Sequence, residues 1–347
     1  MLSVAIGREV SVRVSHLPVV VRALVLLASV WLAPNVVAQS PNIAAWGSNT
    51  FAQCDVPIPP SGTRYVSITG GARHTLAVRN DGQIAAWGAN DQGQCNVPTL
   101  PVGRKYVLVE AAEYHSLALR DDGTLAAWGN NGNGQCNVPI SPAGVAYVSI
   151  AAGQLFSVAL RSDGSIVAWG DNASGQCNVP VLPIGLKYEA VAAGGNYCIA
   201  LRSDGAVVAW GDNYFGQCNV PALSAGMSYR SIAAGGMHSL ALRSDGLVVA
   251  WGYNELGQST VPTLPLGMTY ESVAGGHWHS LAMRSDGAVI VWGYNGNGQQ
   301  NVPTLGGGFK YESVAGGAFF NLAIIREIDC DQNTIDDRID IANGASG

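Results

Sequence analysis

Two kinds of short apolar run alternate along the chain, one reading like SLALR and the other like VVAWG, and most pairs are joined by an Asp-Gly turn such as SDG. Short runs rich in Val, Leu and Ile, bounded by Asp and Gly, predict β-strands, and Asp-Gly between them predicts a tight hairpin. Each pair of runs is followed by a polar loop ending in GQCNVP or a close variant. Proline lacks the amide hydrogen that a central strand must donate, so Val-Pro marks the passage from one unit to the next.

The pattern has a fixed period. Trp46, Trp87, Trp128, Trp169, Trp210, Trp251 and Trp292 are spaced by 41 residues, each followed by Gly and, three positions on, by Asn. Seven Tyr, from Tyr65 to Tyr311, keep the same step. A small sheet of this kind cannot bury both faces alone, whereas neighbours set in a ring can. The array opens on a half unit, Ile43 to Pro57, and closes on the complementary half, Tyr311 to Ile325. Units cut out of phase in this way predict a closed ring whose last blade is completed by the first strand, which removes the open edges of a linear stack. The expected fold is all-β, a seven-bladed β-propeller of 41-residue repeats.

Charge and termini extend the picture. Arg8, Arg13 and Arg22 precede an apolar run from Ala23 to Leu32, followed by Val36-Val37-Ala38 before Gln39, the pattern of an export signal cleaved after Ala38. The expected organisation is a signal peptide at 1–38, a propeller at 39–326 and an acidic tail at 327–347, in a protein that is secreted, periplasmic or held at the cell surface. The mature chain keeps 15 basic and 23 acidic residues. That balance, with no Lys or Arg cluster, has the wrong sign for nucleic acid or an anionic membrane. No later stretch approaches the roughly 18 uninterrupted apolar residues of a membrane span.

The run AAGGMHSLALRSDGLVVAWGYNELGQ, from Ala233 to Gln258, resembles the regulator-of-chromosome-condensation repeat. The resemblance covers roughly residues 42 to 326 and implies a seven-bladed propeller. It leaves function open, because the family includes an exchange factor, ubiquitin-ligase adaptors, a light sensor and secreted bacterial members. The GQxxVP ending is similar to that of the secreted propeller that inhibits class A β-lactamases, which implies that loops on one face of the ring grip a protein.

Candidate chemistry is sparse. His74, His115, His238 and His279 share a repeat position that holds Phe156, Tyr197 and Phe320 elsewhere, so the site accepts any flat ring, as packing does and metal ligation does not. Each His-Ser pair belongs to the repeat and each Asp to a hairpin turn, so no Ser-His-Asp triad is expected, nor any enzyme activity. Cys54, Cys95, Cys136, Cys177 and Cys218 also share a position and are expected to lie too far apart for disulfides. In the tail, Asp329, Asp331, Asn333, Asp337 and Asp340 fall at positions 1, 3, 5, 9 and 12 of an EF-hand-like loop, with the Ile335 carbonyl at 7 and Thr334 where Gly is usual. This spacing suits calcium, a hard ion that wants oxygen ligands. No other cofactor is expected.

Binding is expected where the units differ, since repeat proteins place specificity on loops that leave the core undisturbed. The residue before the flat-ring position runs Arg73, Tyr114, Leu155, Asn196, Met237, Trp278 and Phe319. The loop after Trp-Gly adds Phe51, Tyr214, Phe215, Tyr253, Glu255, Leu256 and Tyr294. Trp, Tyr and Arg are the usual anchors of protein interfaces. From these, Arg73, Tyr114, Met237, Trp278, Phe319, Tyr214, Phe215, Tyr253 and Tyr294 are the expected partner-binding set of a non-catalytic scaffold. Inhibition of a secreted enzyme and carbohydrate binding are the alternatives.

Overall fold

The computed structural model describes residues 38–40 and 42–328. The export signal, apart from Ala38, and the calcium-loop candidates Asp329, Asp331, Asn333, Ile335, Asp337 and Asp340 lie outside the described residues. Those described form an all-β ring of seven blades.

The first blade sets the plan: β3 (Tyr65–Gly70), β4 (His74–Arg79) and β5 (Ile84–Gly88) run antiparallel, in the order in which they occur. Strands β6 to β20 repeat it in five more blades over residues 106–129, 147–170, 188–211, 229–252 and 270–293. The seventh blade joins β21 (Phe309–Gly316) and β22 (Phe320–Glu327) to β2 (Ile43–Gly47), with β1 (Ala38–Ser40) added outside β2. The predicted closure by the N-terminal strand is thus present, with Trp46 opposite Asn321 in the register.

Local chemistry explains each part of the repeat. In the first hairpin Asp81 accepts the Gln83 amide at 3.0 Å and the Arg79 guanidinium at 2.8 Å, while Gly82 takes φ +83°, a left-handed geometry that suits glycine. Gly88 follows Trp87 because φ is +102° there and a Cβ would stand 2.5 Å from the Arg73 carbonyl oxygen. Every repeat Tyr donates its hydroxyl to the carbonyl of the Pro eight positions earlier, at 2.5 to 3.0 Å, pinning the linker that descends from one blade to the next.

The core lies between blades, where the faces of neighbouring sheets meet. Phe156, Val158 and Leu160 of the third blade pack with Tyr188, Val191 and Trp210 of the fourth. Polar bonds cross the same seam. The carbonyl of each repeat Gln, such as Gln94, accepts the indole N–H of the next blade's Trp at 2.8 to 2.9 Å. In five of the seven seams it also accepts the hydroxyl of the Ser or Thr facing that Trp, at 2.8 Å for Ser116. These groups are buried, so each bond offsets a desolvation cost of about 1–3 kcal/mol that an unpaired group would carry.

Candidate functional site

The flat-ring position is structural, as its sequence suggests. His74, His115, His238 and His279 are fully buried, and burial pushes their imidazoles down to about 4, 3, 3 and 4. They are neutral, and each donates Nε2–H to the following blade, to Ser116, Ser157, Ser280 and the Asn321 side-chain oxygen. Nδ1 faces no polar partner and lies over a glycine in three of the four, Gly71, Gly235 and Gly276. Where the ring is Phe156 or Phe320, with nothing to donate, the next blade carries Cys198 or Thr75 in place of Ser. Among the described residues no three His, Cys, Asp or Glu side chains are grouped to hold a metal ion.

The repeat thiols close their own loops. Cys54, Cys95, Cys136, Cys177 and Cys218 each donate S–H to the backbone oxygen six residues earlier at 3.2 to 3.3 Å, and all are free. Burial holds Cys95 at about 11, and burial with Asp55 beside it holds Cys54 at about 12. Ser259 makes the same bond to the Tyr253 oxygen at 3.0 Å.

The two variable sets share one face. In each blade the carbonyl of the residue before the flat ring accepts the amide just after Trp-Gly, as between Tyr253 N–H and Met237 O, or Tyr294 N–H and Trp278 O, both at 3.0 Å. This bond ties the two loops at the same end of the blade. There Tyr214 meets Phe215 (4.8 Å between ring centroids), Phe215 meets Tyr253 (4.8 Å) and Tyr253 meets Trp278 (5.5 Å), all edge to face. His277 joins Trp278 (4.8 Å) to Phe319 (6.3 Å, stacked), and Tyr294 closes on Phe319 (5.9 Å). Seven rings therefore form one arc across the fourth to seventh blades. Arg73 lies over the Phe51 ring at 4.7 Å, a separate pair on the same face. Tyr114 is half-buried and, beside the Glu113 carboxylate, is held above the usual phenol range.

His277 was not singled out by sequence. It shares a repeat position with Ala72, Gly195, Gly236 and Ala318, and with Glu113 and Gln154, so the signal is a position that is small in four units and polar in three. Its position lines the mouth of a cavity of about 170 Å³ on the ring axis, walled chiefly by the Gly and Ala ends of the inner strands. Glu110, Glu113 and Gln154 also line it. Glu110 accepts the Thr69 hydroxyl at 3.4 Å, and its carboxyl is raised by burial to about 7.

The family profile described as the regulator of chromosome condensation (RCC1) repeat matches residues 65–94, 108–135, 147–176, 188–217, 229–258 and 270–299. The chain belongs to the RCC1 repeat family. Similar solved structures include Prp20p of Saccharomyces cerevisiae, 22% identical over 89% of this chain and 96% of that one, with a TM-score of 0.72. Yeast RCC1 (Prp20) crystallised with Kap60 is similar at 22% identity, covering 86% of this chain and 92% of that one, TM-score 0.70. Human WBSCR16 is 20% identical over 83% of this chain and 99% of its own, TM-score 0.70. Among curated proteins none matches this chain. At these identities the solved structures share the RCC1 fold, and the aromatic arc is described from this chain's own residues.

Proposed function

We propose that this RCC1-repeat propeller is an exported, non-catalytic scaffold that binds a protein partner through the aromatic face. The observation that carries this is the contiguous arc from Tyr214 through Phe215, Tyr253, Trp278, His277 and Phe319 to Tyr294. Tyr214 is 84% exposed and Phe319 37% exposed, on loops with no core of their own to fill. Aromatic groups clustered at a surface are the usual anchors of an interface. Because the rings already brace one another, little side-chain freedom is lost on docking.

The geometry favours protein over sugar. Edge-to-face contacts engage the face of one ring with the edge of the next, forming a ridge in place of parallel open platforms for stacking. Protein binding also has precedent in the fold: Prp20p is described by its binding to Gsp1p and histones, and yeast RCC1 by its complex with Kap60. Export rests on the basic and apolar pattern of the first 38 residues.

The test is affinity capture from the source cell's envelope and medium with the mature protein and a Trp278→Ala/Phe319→Ala variant of unchanged melting temperature. Retention of a specific protein by the first and its loss by the second supports the scaffold. Identical retention, or none, rejects the arc as the binding site.

A further inference from the structure

Charge divides between the two ends of this propeller. Hairpin turns and interblade linkers occupy the end opposite the aromatic arc, where Lys105, Lys187, Arg104 and the strand-end arginines are balanced by turn aspartates, as in the Arg104–Asp122 pair at 3.2 Å. Among the described residues, Arg73 is the one Lys or Arg in the loops of the aromatic end. That end carries Asp55, Asp91, Glu113, Asp171, Asp212 and Glu255, so its apolar ridge is set in a field of negative charge. A surface of this kind repels acidic partners and steers basic ones toward it.

The axial cavity sharpens the point. Six of the seven inner strands present Thr69 or Ala151, Ala192, Ala233, Ala274 and Ala315 at the level where the second presents Glu110. Of these positions Thr69 and Glu110 line the cavity, and no ion pair among the described residues neutralises the Glu110 carboxylate. Glu113 and His277 hold the same repeat position on the second and sixth blades and both line the cavity, His277 belonging to the arc as well. The space of about 170 Å³ is several times what one water needs. Burial raises the Glu110 carboxyl, and a cation meeting it in the cavity would hold it ionised.

We propose that the partner presents a basic loop, with one lysine or arginine side chain seated in the axial mouth against Glu110 and Glu113 while its neighbours pack on the arc between Trp278 and Phe319. This rests on the aromatic face being the protein-docking face. A cation entering there gains two carboxylates, and its stem passes the Trp278 and Phe319 rings, which favour cations over their faces.

Disulfide-cyclised peptides that differ only in a Lys, Arg, Gln or Glu at the loop tip provide the probe, titrated calorimetrically into the full mature protein at low salt. The Lys and Arg loops are expected to bind about tenfold tighter than the Gln loop, and the Glu loop more weakly still. The preference should vanish in Glu110→Gln and shrink in Glu113→Gln, with melting temperatures unchanged. Equal binding of all tips, no binding of any, or a preference that survives both substitutions overturns the assignment. Trp278→Ala/Phe319→Ala should weaken every loop alike and keep the charge preference. If it leaves affinities untouched while the preference still follows Glu110, the docking reading fails, and the channel assignment does not.

Discussion

His74 of the first blade donates its Nε2–H to Ser116 of the second at 3.0 Å, and the Ser116 hydroxyl donates in turn to the Gln94 carbonyl at 2.8 Å. Three groups that no solvent reaches are satisfied by this relay, which stitches adjacent blades at the depth of the Trp row.

Ser116→Ala removes the acceptor and leaves a buried imidazole N–H without a partner. A loss of about 1–3 kcal/mol in unfolding free energy is expected. Combining His74→Phe with Ser116→Cys should restore much of it, because Phe156 and Cys198 occupy the same pair of positions in this ring. A double-mutant cycle by denaturant unfolding gives the coupling, and strict additivity would rule the relay out.

Acid should unfold the ring by way of these histidines. Their folded values, about 3 to 4, lie below the roughly 6.5 of an unfolded histidine, so the unfolded chain takes up protons first as pH falls. Stability present above pH 6.5 is therefore lost progressively down to the folded values, by about 1.4 kcal/mol per pH unit for each histidine titrating. Melting temperature measured across that window should fall steeply, and His115→Phe should flatten the slope.

Cys95→Ser is expected to change stability by less than about 0.5 kcal/mol, since Ser259 already makes the equivalent bond. In the native protein Cys198, buried and held well above the usual thiol range, should stay unmodified by a thiol reagent that labels it after denaturation. Peptide mapping under both conditions reads this directly.

Tyr253 touches Phe215 on one side and Trp278 on the other, whereas Tyr214 touches Phe215 alone within the arc. Tyr253→Ala should therefore weaken partner binding by about 2 kcal/mol or more, as a central anchor does, and Tyr214→Ala by less. Equal losses would mean that exposure, and not connection within the arc, sets the contribution.

Much of this fold is legible because every repeat states it again. The 41-residue Trp step, the Asp-Gly turns and the complementary half units fix blade number and closure. The candidate site is legible only as two loop positions. That Trp278 and Tyr253 touch depends on a backbone bond linking their loops and on the angle between blades, neither of which has a residue signature. Glu110 and His277 were hidden for another reason: the inner strands converge on an axis, and a departure from Ala or Gly acquires meaning only when seven chain segments face the same space. Ser116 escaped because its partner lies one repeat and one residue away, at a spacing that periodicity alone does not highlight.

The bond from Trp46 to the Gln299 carbonyl, with β2 laid against β22, joins the two ends of the described chain. Synthesis proceeds from the N-terminus, so for most of that time β2 has no blade to complete, and six blades stand as an open arc. Closing the ring is consequently a late event that awaits residues 309–327 and spans nearly all of the described residues, the kind of long-range contact that slows folding. The same join makes the ends of the ring interchangeable with any interblade linker: a chain restarted at another Val-Pro, with its old termini spliced, should reach the same circle by a different last step.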